Sequence, residues 1–238
     1  MPGVFARVKS AGLDRFGFHV AVEDVQAPES GFALITLVGD GLTKSTWHPG
    51  DCVKVRTPDD QLRSYTPLDW DAVAGRTRLL GVGRATGPGT RYLNALAVGA
   101  QVQLVGPKKS VDLNLERAPI IVGDETVLSL CAAWATSSAE PAIVVLEASD
   151  VTACQSAAIA IGVAPNRVEP TRADLVAAVI ETARANPDLP LVLSGRAQSI
   201  AAVRAALKSA DLNTHGKGNV RRTIRVKAYW DEHRTGLD

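Results

Sequence analysis

The apolar positions of the chain follow two rhythms, and the change between them falls near Pro119. Before it the apolar runs are short, alternate with polar residues or stay continuous only over strand lengths, and are separated by glycine-rich turns. Residues 4–9 and 17–27 read as strands, the second ending at Pro28. Phe32–Val38 (FALITLV) is β-branched and apolar, and Gly39-Asp40-Gly41 closes it as a turn. Cys52–Arg56 alternates Val53 and Val55 with Lys54 and Arg56, the mark of a half-buried strand. Thr77–Val82 and Gln101–Val105 complete the set, with Val102 and Leu104 on one face. No helical period occurs before residue 90, so many short strands without helices predict a small barrel or sandwich. One short helix is expected to follow the glycine turn that begins Gly87-Pro88-Gly89-Thr90.

Beyond Pro119 strand-like and helical periods alternate. Ile120-Ile121-Val122, Ala142–Leu146 and Leu191-Val192-Leu193 are continuous apolar runs, as in parallel strands buried on both faces. Helical spacing joins Val127, Leu130, Cys131 and Trp134, with Asp124 as N-cap. It returns over 152–161, after the capping Thr171 (Leu175, Val176, Val179, Ile180, Ala183), and at Ile200, Val203, Ala206 and Leu207. Thr223–Tyr229 is the last expected strand. Such alternation predicts a parallel sheet covered by helices, with ligands at the carboxyl ends of its strands. The expected organisation is a β-barrel over residues 1–116 and an α/β domain over 117–238.

Composition narrows the partners. The 238 residues carry a net charge of +1, and 21% are charged, so no global field favours nucleic acid or a membrane surface. No run approaches the roughly 18 apolar residues of a membrane span. No signal-peptide core is visible at the N-terminus, so a cytoplasmic protein is expected. Cys52, Cys131 and Cys154 are an odd, widely spaced set that reads as apolar core residues under reducing conditions. The scattered histidines give no metal site.

The chemistry concentrates at Arg63-Ser64-Tyr65-Thr66. On an extended segment Arg63 and Tyr65 share one face, Ser64 and Thr66 the other. A guanidinium fork beside an aromatic ring suits a ligand both anionic and flat, such as a flavin nucleotide. Gly87-Pro88-Gly89-Thr90 lets backbone amides converge at a helix start, which suits a pyrophosphate. Gly123-Asp124-Glu125-Thr126 and Ser194-Gly195-Arg196 lie at expected strand ends, where the Thr126 hydroxyl and nearby amides could receive phosphate. Neither the G-x-G-x-x-G fingerprint nor a Walker A sequence is present.

These blocks together resemble the siderophore-interacting proteins, the flavin-dependent ferric-siderophore reductases of the ferredoxin-reductase-like superfamily. The resemblance runs through LITLVGDGL (34–42), HPGDCVKV (48–55), RSYT (63–66), GPGTRY (87–92), VQLVGPKKS (102–110), IIVGDETVLSL (120–130), VLSGRAQSIAAVRAAL (192–207) and KAYW (227–230). It implies FAD on the barrel, with Arg63 on the phosphates, Tyr65 against the isoalloxazine, Thr66 near its polar edge, and Gly87, Gly89 and Thr90 approaching the pyrophosphate. It implies electron transfer from NADPH or NADH, through FAD, to a ferric siderophore or another Fe(III) chelate. A ferredoxin-type protein is the alternative donor. Alternative readings are a non-catalytic flavin or chelate binder, and a flavin reductase with another acceptor. No catalytic acid or base is needed. Lys108, Lys109, Lys217, Arg221 and Arg222 are candidate cations for an anionic chelate, and Tyr229-Trp230 would cover the cofactor or close the two halves together. The sequence departs from the family at Pro67-Leu68, at Leu80–Gly83 (where a His-Gly pair is usual), at Tyr92 and at Arg196, which stands where an acid is usual. Arg196 either selects the extra phosphate of NADPH or pairs with a nearby acid.

Overall fold

A computed structural model of the protein describes residues 17–82, 88–215 and 220–233. The expected strand at 4–9, Gly87 and Lys217 lie outside them. In the first half β1 (Gly17–Gln26), β2 (Phe32–Val38), β3 (Cys52–Arg56), β4 (Leu62–Tyr65), β5 (Asp69–Asp71), β6 (Arg76–Val82) and β7 (Gln101–Lys108) form one antiparallel sheet. Its order is β4-β3-β7-β1-β2-β6-β5. One face gathers Val20, Val22, Ile35, Leu37, Val53, Val55, Leu79, Val102 and Leu104 into a single cluster. Strands from nearly the whole width of the sheet meet there, so the sheet wraps around its own core as a barrel. A one-turn helix, α1 (Asp40–Thr43), stands where a plain turn was expected, with Leu42 fully buried. Helix α2 (Pro88–Asn94) brings Leu93 into the same core.

Strand β2 carries the least alternating sequence of the barrel, and the structure supplies the reason. Its odd face, Ile35 and Leu37, belongs to the barrel core; Phe32 and Leu34 belong to a second cluster shared with the other half of the chain. Both faces are covered, so every residue from Phe32 to Leu37 is buried, Thr36 included, and exposure begins only at Val38.

The second half holds a five-stranded parallel sheet, β8 (Ile120–Asp124), β9 (Ile143–Glu147), β10 (Arg167–Glu169), β11 (Leu191–Arg196) and β14 (Ile224–Trp230), in the order β10-β9-β8-β11-β14. A 3-10 turn (Glu125–Val127) leads into α3 (Leu128–Ser137); α4 (Val151–Ala160), α5 (Arg172–Ala185) and α6 (Ala197–Ser209) follow. Alternate residues of a strand point to opposite faces. Ile121 therefore packs with α3 and α4, while Ile120 and Val122 pack with α5 and α6. Helix α3 is buried from Leu128 to Trp134 because it lies between the parallel sheet and the barrel. A small hairpin, β12 (Thr214–His215) with β13 (Val220–Arg221), precedes β14.

Sheet order decides where a crevice can form. The strand following β8 in the chain lies on one side of it and β11 on the other, so connections diverge at the β8/β11 boundary, the place where α/β sheets open to ligands.

Candidate functional site

At the free edge of the barrel, β4 pairs with β3 so that Tyr65 stands opposite Val53 and Arg63 opposite Val55. Opposed residues of an antiparallel pair share a face. Arg63 and Tyr65 therefore stand on the side of the fully buried Val53 and Val55, and Ser64 is turned outward and exposed. Helix α2 lies over this face. A Cβ on Gly89 would fall 2.6 Å from the Tyr65 hydroxyl and 2.8 Å from Arg63 Cγ, so only glycine lets the helix backbone come this close. Arg63, Tyr65 and Gly89, separated in sequence, meet at one point. Pro88 is the first residue of α2, and the Thr90 hydroxyl donates to the Val82 carbonyl at 3.3 Å. Arg63 Nη1 donates to the Leu62 carbonyl at 2.8 Å. Burial pushes the Tyr65 phenol up to about 12, against the opposing charge of Arg63.

Thr66 does not face an open groove. It is 6% exposed, and its Oγ1 lies 3.2 Å from the hydroxyl of Tyr229 near the end of β14. This bond ties the barrel to the parallel sheet. Burial raises the Tyr229 pKa, opposed by its hydrogen bonds with Thr66 and Ser194. Of the two expected roles of Tyr229, closing the halves together is the one seen in the contacts.

The carboxyl ends of four parallel strands converge on a polar network. Asp124 ends β8 and is fully buried. Its Oδ1 accepts from the Thr126 amide at 3.1 Å and from the Thr126 hydroxyl, and its Oδ2 accepts from Trp230 Nε1 at 2.6 Å. Gly195, with φ 96°, leaves room for that carboxylate: a Cβ would sit 2.6 Å from Asp124 Oδ1. Burial raises the Asp124 pKa, and the Thr126, Trp230 and Arg196 interactions oppose the shift. Thr126 was expected to offer its amide and hydroxyl to phosphate; both are turned onto Asp124, so that expectation is corrected. Arg196, at the end of β11, is held by acids: Nη1 lies 3.0 Å from Glu147 Oε1 and 3.3 Å from Glu232 Oε1. Its guanidinium also stands 4.8 Å from the centre of the Trp230 ring. Pairing with a nearby acid is thus the alternative that the structure displays. Trp230 covers this network rather than the Arg63 face. Glu147, Ser199, Arg172 and Glu232, none singled out from the sequence, complete it. Ser199 Oγ donates to Glu147 Oε2 at 2.6 Å, and Arg172 donates to Ser199 Oγ and to Glu232 Oε1.

The candidate cations divide. Lys108 and Arg221 are exposed. Lys109 is exposed but lies 3.3 Å from Asp112, whose carboxyl is held below the usual range by the Asn114 amide and Lys109. Arg222 is 3% exposed and donates to the carbonyls of Ala183, Asn186 and Leu189, where α5 ends. It terminates a helix, and as a surface cation it is ruled out. A separate cleft of about 420 Å³ lies on the barrel, lined by His19, Arg56, Asp60, Tyr92 and Gln103 among others; there Arg56 pairs with Asp60 and Gln103. Among the described residues no three His, Cys, Asp or Glu side chains are grouped to hold a metal, and no helix is long and apolar enough to cross a membrane.

This architecture, an antiparallel barrel followed by a helix-covered parallel sheet, is the ferredoxin-reductase-like fold. It is shared over almost the whole chain with a siderophore utilization protein from T. fusca, at 20% identity, TM-score 0.69, and coverage of 93% of this chain and 95% of that one. The siderophore-interacting protein SipS from Aeromonas hydrophila matches at 16% identity and TM-score 0.67, over 91% of this chain and 98% of that one. The ferredoxin reductase in carbazole 1,9a-dioxygenase matches at 16% identity and TM-score 0.64, over 87% of this chain and 68% of its own, and its FAD apo form matches as well. No family model and no curated protein matches the sequence.

Proposed function

We propose that the chain is a flavin-dependent reductase of the ferredoxin-reductase-like class whose acceptor is a ferric siderophore or a similar Fe(III) chelate, in a cytoplasmic setting. The observation that carries it is the meeting of Arg63, Tyr65 and Gly89 on the barrel edge of this fold. The residues suit the phosphates of FAD better than its ring. Arg63 offers a charged fork beside a helix backbone stripped of its Cβ, whereas the Tyr65 hydroxyl is covered by α2 and Thr66 is engaged by Tyr229. Arg63, Gly89 and the start of α2 would hold the pyrophosphate; the ring would reach Thr66 only as the Tyr229 bond opens. When bound, FAD supplies the exchange between a two-electron donor and one-electron acceptors. The domain division near residue 116, with NADPH or NADH serving the α/β half, belongs to the same reading.

Reduction releases iron because hard oxygen donors hold Fe(III) far better than Fe(II). One two-electron donor reduces two ferric ions, and no group of the chain need move a proton to the metal. Lys108 and Arg221 are the exposed cations proposed to attract an anionic chelate. The test is anaerobic: protein, FAD, NADPH or NADH and a ferric siderophore, with a chromogenic Fe(II) chelator as the trap. Fe(II) formation that requires both protein and FAD supports the proposal; none with either nucleotide or with reduced ferredoxin overturns it. A specific observation favours a second reading, a binder without nicotinamide-driven turnover: the strand-end crevice is filled by the chain's own charges. Flavin reduced by ferredoxin but by neither nucleotide would select the protein donor.

A further inference from the structure

We propose that Arg172 and Arg196 form a binding site for a phosphate monoester, and that the carboxylate of Glu232 occupies it as an internal competitor. Both guanidinium groups reach the same oxygen, Glu232 Oε1, at 3.1 and 3.3 Å. Those distances exceed the about 2.7–2.9 Å of a well-formed charge-assisted bond. One carboxylate oxygen thus serves two cations, and acceptors are in short supply. Arg196 Nε is buried without a hydrogen-bond partner among the described residues. A buried donor left unpaired is costly, and it marks a place where an acceptor is missing. The terminal oxygens of a phosphate monoester would supply acceptors to both forks at once, which a carboxylate contacting through one atom does not.

The position is that of a ligand site. Arg172 opens α5 and Arg196 ends β11, at the carboxyl ends of the parallel strands. Glu147 balances one positive charge from below, where its second oxygen is fixed by Ser199. With Glu232 withdrawn, both guanidinium forks lose the acceptor they share on the solvent side. The carboxyl groups of Glu147, Asp124 and Glu125 still act on Arg196, so an incoming oxyanion is held by the freed N–H donors of the two forks rather than by an excess of positive charge. Glu232 can withdraw: its side chain is 36% exposed, and it follows the last strand rather than lying within it. Residues 231–233 are therefore a strap whose acid, Glu232, stands in for the ligand, and a phosphate-bearing molecule enters by displacing that carboxylate.

The inference does not rest on flavin binding, and its test contains neither flavin nor iron. Isothermal titration calorimetry would compare inorganic phosphate, NADPH and NADH on wild type, Glu232→Gln, Arg172→Ala, and Asp174→Asn. The last removes a carboxylate two residues from Arg172 that accepts from Thr171 rather than from a guanidinium. Glu232→Gln is expected to bind phosphate and NADPH about tenfold more tightly than wild type, and Arg172→Ala, added to it, is expected to abolish the gain. NADPH bound in preference to both NADH and phosphate identifies a nucleotide monoester as the source; phosphate bound as well as NADPH identifies the free anion. No gain in Glu232→Gln, or an equal gain in Asp174→Asn, overturns the proposal. Melting curves of each variant exclude unfolding as the cause.

Discussion

The barrel edge and the strand-end crevice both place an arginine beside an aromatic ring, yet they treat it oppositely. At the edge, Arg63 meets Tyr65 and the bare backbone of Gly89, and among the described residues no acid is bonded to it. In the crevice, Arg196 lies between two glutamates and against Trp230, with Asp124 buried behind. A cation held without an acid keeps its attraction for an incoming anion. One already paired must give up that pair first. The comparison teaches that a motif's residues alone do not make a phosphate site; what matters is which charges the fold brings to them.

The largest expected effect lies on the crevice side. Glu147→Ala leaves Arg196 without its closest acid and Ser199 without its acceptor. Breaking such a pair should cost about 3 kcal/mol, the low end for buried pairs, because Arg196 keeps Glu232 and some contact with water. Urea unfolding measures it; a loss under ~1 kcal/mol would mean that the network is only surface charge.

On the barrel side, Gly89→Ala adds a methyl against Arg63 Cγ and the Tyr65 hydroxyl. Helix propensity favours alanine by about 1 kcal/mol. Overpacking against a side-chain root costs about 1–3 kcal/mol. Net destabilisation is expected, with weaker flavin binding. A more stable variant with unchanged flavin affinity would show that α2 can stand off the Arg63 face.

The two regions also differ in pH response. Tyr65 has a folded pKa of about 12 against an ordinary value of 10.0. A raised folded pKa means stability that is complete below the ordinary value and lost as pH rises through the folded one. Wild type should therefore weaken between pH 10 and 12 more than Tyr65→Phe, by up to about 2 kcal/mol. For Asp124 the same sign acts in acid: stability falls as pH rises from the ordinary carboxylate range through its raised value. Asp124→Asn, which keeps an oxygen for Trp230 or Thr126, should flatten that slope in denaturant melts from pH 3 upward. An unchanged slope would contradict the burial argument.

Much of the architecture is visible in the hydrophobic pattern. FALITLV is β2 residue for residue, Cys52–Arg56 is β3, and the capped helix after Thr171 begins at Arg172. The pattern misses α1, β5 and β10 because three or four residues are too few to show a period. The candidate site divides in the same way. Arg63 and Tyr65 are two residues apart, so strand geometry alone puts them together. The partners Glu147 of Arg196 and Trp230 of Asp124 lie 49 and 106 residues away, beyond any local signal, which is why Arg196 reads as an open phosphate donor. Thr126 is different, because the Asp124 that engages it is only two residues earlier and its capping role is visible in the sequence. Arg222 misleads for a similar reason: its carbonyl partners at the end of α5 are 33 or more residues earlier.

The smallest expected effect is on chelate attraction. Reversing Lys108 should slow reduction of an anionic ferric chelate a few-fold at low ionic strength, and the difference should vanish near 1 M salt, where screening acts over about 3 Å. A difference that persists in high salt would place Lys108 in direct contact rather than in a steering field.

The central claim, that the open arginine and not the paired one holds the flavin, is tested most directly by titrating FAD into three proteins and following flavin fluorescence. Wild type and Arg196→Ala should bind equally, and Arg63→Ala should bind roughly ten- to a hundredfold more weakly, the loss of one charge-assisted phosphate contact of about 1.5–3 kcal/mol. Equal FAD affinity in Arg63→Ala and wild type, or a loss confined to Arg196→Ala, would contradict it.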